Sequence, residues 1–267
     1  MKHRLLVAVC LVLGSLPVFA ADRLTDRDVK ALVARIEDGR DKFDNALDDK
    51  FKNDILRGPG GEVDVKRFLN TFQESIDRLE ESIKPGYAGS AEAGTLLRQG
   101  SAIDRYFRQH PGGTKGESEW NRLGSDLKVL AAAYGSDFPV ADSATFRRIG
   151  DRELADAVKA LASAAEQLKK SLDSDLKKDA SIDKPTREAV VSEADQLSQD
   201  AKTLRDRVKD AKPSSAEADE VLTRAHKLET FIQGHKVPAA ARAWTAVSSQ
   251  LENVAAAYQV SRTPRTP

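Results

Sequence analysis

The chain has 267 residues, with 42 Lys and Arg against 42 Asp and Glu, 40% hydrophobic residues and a mean hydropathy of −0.48. That length can bury a sizeable core, and a formal net charge of zero offers no general attraction for nucleic acid or an anionic membrane surface. A single Cys rules out a disulfide within the chain.

The sequence opens on a basic stretch, Met1 to Arg4, followed by an apolar run from Leu5 to Leu13 and a small-residue site at Val18-Phe19-Ala20, before Ala21 and Asp22. This pattern predicts a secretory signal peptide cleaved after Ala20, and hence a periplasmic or secreted protein. The run is too short to span a membrane, and no later stretch is apolar enough. Cys10 lies inside the run, preceded by Val7, Ala8 and Val9 rather than the small residues expected before a lipidated cysteine. Cleavage would remove the only Cys and the only Met. It would also remove two basic residues and no acid, leaving a net charge of −2. A secreted chain without cysteine is stabilised by packing alone, so it requires a substantial apolar core.

After the leader the sequence reads as helices. A first helix is predicted from about Asp26 to Asp54, opened by Thr25 and Asp28 in a capping-box pattern and stopped by Gly58-Pro59-Gly60-Gly61. A second runs from about Val63 to Ile83, before Pro85-Gly86. A third runs from Ser90 to about His110, before Pro111-Gly112-Gly113, and a fourth covers Trp120 to Tyr134. The stretch 137–150 is a linker. Four further helices follow. One spans about Arg152 to Lys178, and the next runs from Pro185 to about Val208. A third is opened by Ser214 and Glu217 as a second capping box, and the last follows Pro238. Residues 260–267 form a tail. No alternating apolar run exceeds a few residues, so strand signals are nearly absent.

The two sets of helices share one apolar pattern. Ser90-Ala91-Glu92-Ala93 recurs as Ser215-Ala216-Glu217-Ala218, an offset of 125. At that offset Val29, Val33, Ile36, Phe43, Leu47 and Phe51 fall on Leu154, Val158, Leu161, Leu168, Leu172 and Leu176. Leu69, Phe72, Ile76, Leu79 and Ile83 fall on Ala194, Leu197, Ala201, Leu204 and Val208. Leu97, Ile103, Tyr106 and Phe107 fall on Leu222, Leu228, Phe231 and Ile232. His110 falls on His235. One residue is then lost, and Trp120, Leu123, Leu127, Leu130 and Tyr134 match Trp244, Val247, Leu251, Val254 and Tyr258 at an offset of 124. The steps of three and four residues in this last set are those of a bundle seam. Apolar positions match while surface residues have drifted, as in a duplication that keeps its core. The expected fold is therefore all-α. It comprises two tandem, duplicated antiparallel four-helix bundles, the first over residues 21–136 and the second over 151–259.

Bundles often hold metals or haem, but the residues do not support that chemistry. Covalent haem needs Cys-x-x-Cys-His, which is absent. After the leader only His110, His226 and His235 remain, and two of these close helices, where a His favours the negative end of the dipole. His226 and Glu229 stand three apart on one helix, but two Glu-x-x-His motifs, as in di-iron bundles, are absent, and the pair reads as a solvated face. There is no Gly-x-Ser-x-Gly and no His-Glu-x-x-His. The expectation is a non-enzymatic protein with no cofactor and no nucleic-acid partner. Its role would be structural, or the binding of a protein partner in the cell envelope. The alternative is a carrier of a small apolar or haem-like ligand within the first bundle, suggested by Phe43, Phe51, Phe68, Phe72, Tyr106 and Phe107. The first-half residue Phe68 falls opposite Glu193, so Phe68 is either exposed or covered by something that the second half lacks. Phe138 and Phe146 of the linker are candidates for that cover and, with Phe68, for an interaction patch. The plainer reading is that the linker aromatics pin the two bundles together.

Overall fold

The computed structural model describes residues 23–58, 61–112 and 115–260. The expected leader at residues 1–20, with Cys10, and most of the tail lie outside these. The fold is all-α, and no described helix is long and apolar enough to cross a membrane.

Helix α1 (Asp26–Ala46) begins at the Thr25 capping box, with the Thr25 hydroxyl accepting from the Asp28 amide and the Asp28 carboxylate accepting from the Thr25 amide. It stops eight residues before the expected Asp54. Leu47 is extended, and the Asp48 carboxylate turns to accept the Phe51 N–H at 2.8 Å. A separate turn, α2 (Asp49–Lys52), then leads into a hairpin of β1 (Ile55–Gly58) and β2 (Gly61–Asp64), with Leu56 opposite Val63. The apolar spacing ran on through Leu47 and Phe51, which concealed this break. Asp64 closes β2 and caps α3 (Val65–Ser82) by accepting from Arg67. Helices α4 (Ser90–Gln109) and α5 (Glu117–Ala133) follow.

The second half is α6 (Asp151–Leu176), α7 (Lys184–Lys209), α8 (Ser215–Gly234) and α9 (Pro238–Ala257). Here α6 is unbroken and no hairpin intervenes. Helix α9 is capped from a neighbour, because the Asp175 carboxylate of α6 accepts from Ala239 and Ala240 at 2.7 and 3.0 Å. The Ser214–Glu217 capping box expected for α8 is not formed. The Ser214 hydroxyl bonds the Tyr258 hydroxyl at 2.7 Å, and Glu217 pairs with Arg207.

Within the first half α1 packs on α3 and α5, and α4 packs on the same two helices. Within the second half α6 packs on α7 and α9, and α8 again joins the other two. Each half buries its own apolar cluster, and Trp120, Phe43, Phe72 and Tyr134 are among the largest fully buried side chains of the first. Burying each such side chain is worth about 1.5–3 kcal/mol. Burial follows the sequence offset closely. Every apolar pair matched above is buried in both halves, except that Tyr106 and Phe231 are both half-buried and Phe51 is half-buried against a buried Leu176.

The linker lies over α4. An added Cβ at Gly94 would stand 2.6 Å from Cδ2 of Phe146, and one at Gly100 would stand 3.4 Å from Cε2 of Phe138. These two glycines let the aromatic rings sit directly on the helix backbone. Next to Gly100 the Ser101 hydroxyl accepts the Val140 N–H at 2.9 Å.

Candidate functional site

The three residues of the expected patch occupy different settings. Phe68 is 6% exposed, stacked on Phe72 at 5.1 Å and edge-on to Trp120 at 6.1 Å. Its counterpart Glu193 pairs at 2.6 Å with Arg224, which also holds Asp200 at 2.6 Å. An aromatic cluster in one half is thus replaced by an ion triad in the other. Phe138 is buried over Gly100. Phe146 is half-buried over Gly94, with the Arg98 guanidinium 4.9 Å above its ring. The first-half aromatics pack on one another, with Phe43 5.2 Å from Trp120 and Phe107 6.0 Å from it.

Several polar groups repeat between the halves. The Trp120 indole N–H donates to Asp104 at 3.3 Å, and that of Trp244 donates to the half-buried Glu229 at 3.4 Å. His110 Nδ1 lies 3.0 Å from the Tyr106 carbonyl with the two rings stacked, and His235 Nδ1 lies 2.8 Å from the Phe231 carbonyl with the same stacking. The Tyr134 hydroxyl donates to the Ala88 carbonyl at 2.7 Å, and burial pushes this phenol up to about 12. Burial raises the Tyr258 phenol as well. Among the described residues no group of three or more His, Cys, Asp or Glu is placed to hold a metal ion.

The feature that sequence reasoning missed is the seam between the halves. Arg23-Leu24-Thr25-Asp26 precedes and opens α1, and Arg148-Ile149-Gly150-Asp151 precedes and opens α6, again 125 residues apart. The two segments grip each other reciprocally. Arg23 donates to the Asp151 carboxylate at 2.6 Å and to the Ile149 carbonyl at 2.7 Å. Arg148 pairs with the Asp26 carboxylate at 2.6 Å and donates to the Leu24 carbonyl at 3.0 Å. The Asp26 N–H donates to Asp151 at 2.9 Å, and the Asp151 N–H donates to Asp26 at 3.2 Å. Two helix N-termini therefore meet, each with orphan amides and a partial positive charge, and each is capped by the other's carboxylate. The Arg side chains are 10% and 4% exposed and their carboxylate partners 28% and 25%, so the guanidiniums are desolvated while the carboxylates keep part of their hydration. Beside them the Thr25 hydroxyl holds the Asp28 carboxyl below its usual range.

Among the described residues no helix of the first half packs lengthwise on a helix of the second, and across the seam the Gln259 side-chain amide donates to the Ala132 carbonyl. Next to the clasp lies a cavity of about 320 Å³ to which the halves contribute equivalent residues, Leu24 with Ile149 and Ala132 with Ala256. Comparison with known protein families, with curated proteins and with solved structures finds no match.

Proposed function

We propose that this is an exported, non-catalytic protein of two like four-helix units, residues 21–136 and 151–259, that serves as a structural or partner-binding component of the cell envelope. The architecture rests on the offset of 125, on the burial pattern that follows it, and on the reciprocal clasp, in which Arg23 pairs with Asp151 as Arg148 pairs with Asp26. Export rests on the leader pattern of residues 1–20.

The observation that carries the non-catalytic reading is the employment of the buried polar side chains. Among the described residues these are Ser75, Ser101, Asp104, Arg148, Ser198, Asp200 and Ser214. Ser75, Ser101 and Ser198 donate to backbone carbonyls, Asp104 and Asp200 accept from Trp120 and Arg224, and Ser214 holds Tyr258. Arg148 belongs to the clasp. Groups of this kind usually supply an enzyme's acid, base or nucleophile, and here each is committed to a helix or to a contact between helices.

The test is expression with the native leader in a bacterial host, followed by fractionation, N-terminal sequencing and amine cross-linking in intact cells. The reading expects a chain beginning at Ala21 in the envelope fraction and a discrete cross-linked species of higher mass. A chain that keeps Met1 in the cytoplasm removes the export claim. A solely monomeric chain under cross-linking, across salt conditions, removes the partner-binding claim.

A further inference from the structure

We infer that the furrow between α8 and α9 is a docking site for the basic segment that follows α9, residues 261–267, as the furrow between α4 and α5 takes the linker. The chain leaves α5 and α9 by the same route. The Ser136 N–H donates to the Ala131 carbonyl at 2.9 Å, and the Val260 N–H donates to the Ala255 carbonyl at 3.0 Å. Before them Gly135 and Gln259 both take a positive φ, 73° and 53°. The linker then runs onto α4. An added Cβ at Gly100 would meet Leu127 of α5 at 3.0 Å and the Phe138 ring at 3.4 Å, and Ser101 accepts from Val140. Arg262 and Pro264 are as far along the chain from Tyr258 as Phe138 and Val140 are from Tyr134. They can therefore reach Ala225 and His226, the counterparts of Gly100 and Ser101.

Two differences between the halves, each made on both sides of the contact, identify the occupant. The first is charge. The linker stretch 137–142 carries Asp137 and Asp142 and no cation. Beneath it Arg105 and Arg108 follow Ser101 on one face of α4, with Asp104 beside them. An added Cβ at Gly124 of α5 would stand 3.8 Å from Asp104, and Lys128 is one turn further along that face. Three cations thus outnumber one acid. In the second half the signs reverse. The same positions are Thr230, Gln233, Glu229 and Glu252, and the segment that follows α9 carries Arg262 and Arg265 and no acid. Arg224 and Lys227, three apart, lie on the α7 side, where Glu193 and Asp200 hold Arg224. Attraction is kept while both partners change sign. The second difference is the backbone tie. The counterpart of Val140 is Pro264, which has no N–H to donate, and the acceptor Ser101 has become His226. Donor and acceptor are lost together. A segment that never met α8 would have no reason to match either change. The docking stands or falls independently of export and of any envelope partner.

The test uses the full chain with Cys10→Ser and adds His226→Cys with Pro264→Cys, the pair equivalent to Ser101 and Val140. Mild oxidation should join the two thiols within one chain, read by mass spectrometry of the monomer. Arg262→Glu with Arg265→Glu should slow the joining about fivefold at low salt, the effect of two exposed ion pairs. Adding Glu252→Arg, at an exposed position, should recover part of that rate. A second measurement needs no cysteine. In the otherwise unaltered chain Glu252→Gln should speed tryptic cleavage after Arg262 about threefold. Thiols that stay free in the folded chain, or that join only between chains, would overturn the inference. So would a joining rate untouched by the charge reversal, or cleavage after Arg262 that is indifferent to Glu252→Gln.

Discussion

Replacing Arg148 with Met keeps most of the buried stem and deletes the charge, so it isolates the clasp. The substitution removes a 2.6 Å ion pair to Asp26 and the donor to the Leu24 carbonyl. Breaking a fully buried pair from one side costs about 3–5 kcal/mol. Here the Asp26 side chain remains 25% exposed and keeps part of its hydration, so the expected cost is about 2–3 kcal/mol. The mirror substitution Arg23→Met acts on a slightly wetter pair, 10% and 28% exposed, and should cost about 2 kcal/mol. Because Asp26 also accepts the Asp151 N–H, the partner substitution is Asp26→Asn, whose side-chain oxygen can still accept. The cycle Arg148→Met with Asp26→Asn should give a coupling energy of about 1–2 kcal/mol. The assay is urea unfolding followed by tryptophan fluorescence. Trp120 reports the first half and Trp244 the second, so variants with one Trp replaced by Phe resolve the two. Asp26→Asn, in the first half, should lower the midpoint read at Trp244. A loss below 0.5 kcal/mol for Arg148→Met, the range of neutral surface changes, or a coupling of zero would refute the clasp as a stabilising contact.

Other expectations follow from single residues. Gly94→Ala places a methyl 2.6 Å from the Phe146 ring and should destabilise by about 1–3 kcal/mol, while Gly124→Ala meets only Asp104 Oδ1 at 3.8 Å and should stabilise by up to about 1 kcal/mol through helix propensity, both read by denaturant midpoints. Trp120→Leu should cost more than Trp244→Leu in thermal unfolding, because Trp120 is 0% exposed and Trp244 9%. The Tyr134 phenol ionises near 10 when unfolded and about 12 when folded, so the folded state holds its proton longer. Its stabilising contribution is therefore complete below pH 10 and is lost as pH rises through 12. Tyr134→Phe should flatten this alkaline loss, and it should lower stability at neutral pH by about 1 kcal/mol through the lost bond to Ala88.

The sequence made the apolar skeleton legible because burial is written as periodicity. The offset from Val29 to Leu154 onward anticipated which side chains would be buried, and the Trp and Tyr positions of α5 and α9 followed. What escaped was polar or depended on distant partners. The steps from Phe43 to Leu47 and Phe51 continue a helical pattern, yet Asp48 starts a new turn between them. Ser214 and Glu217 have the spacing of a capping box, but Tyr258 and Arg207, distant in sequence, claim both side chains. The clasp was visible only as Arg and Asp three apart at the same offset, a pattern indistinguishable from surface charge until the two helix N-termini meet. The Phe68–Glu193 contrast was a real signal. Its cause lies in the core, where Phe72 and Trp120 surround the one and Arg224 pairs with the other.

Whether the two halves meet at this seam is tested most directly by a cross-link. Cys10 is the only cysteine in the sequence, so replacing it with Ser leaves a cysteine-free background. Ala132→Cys with Gln259→Cys then puts a thiol on either side of the contact between Ala132 and Gln259. A short bis-methanethiosulfonate reagent should join them within one chain, giving near-complete conversion to a faster-migrating band, and Arg23→Met with Arg148→Met should reduce the rate. Failure of the two thiols to link in the folded chain, or linking at a rate unaffected by loss of both arginines, would contradict the seam as described.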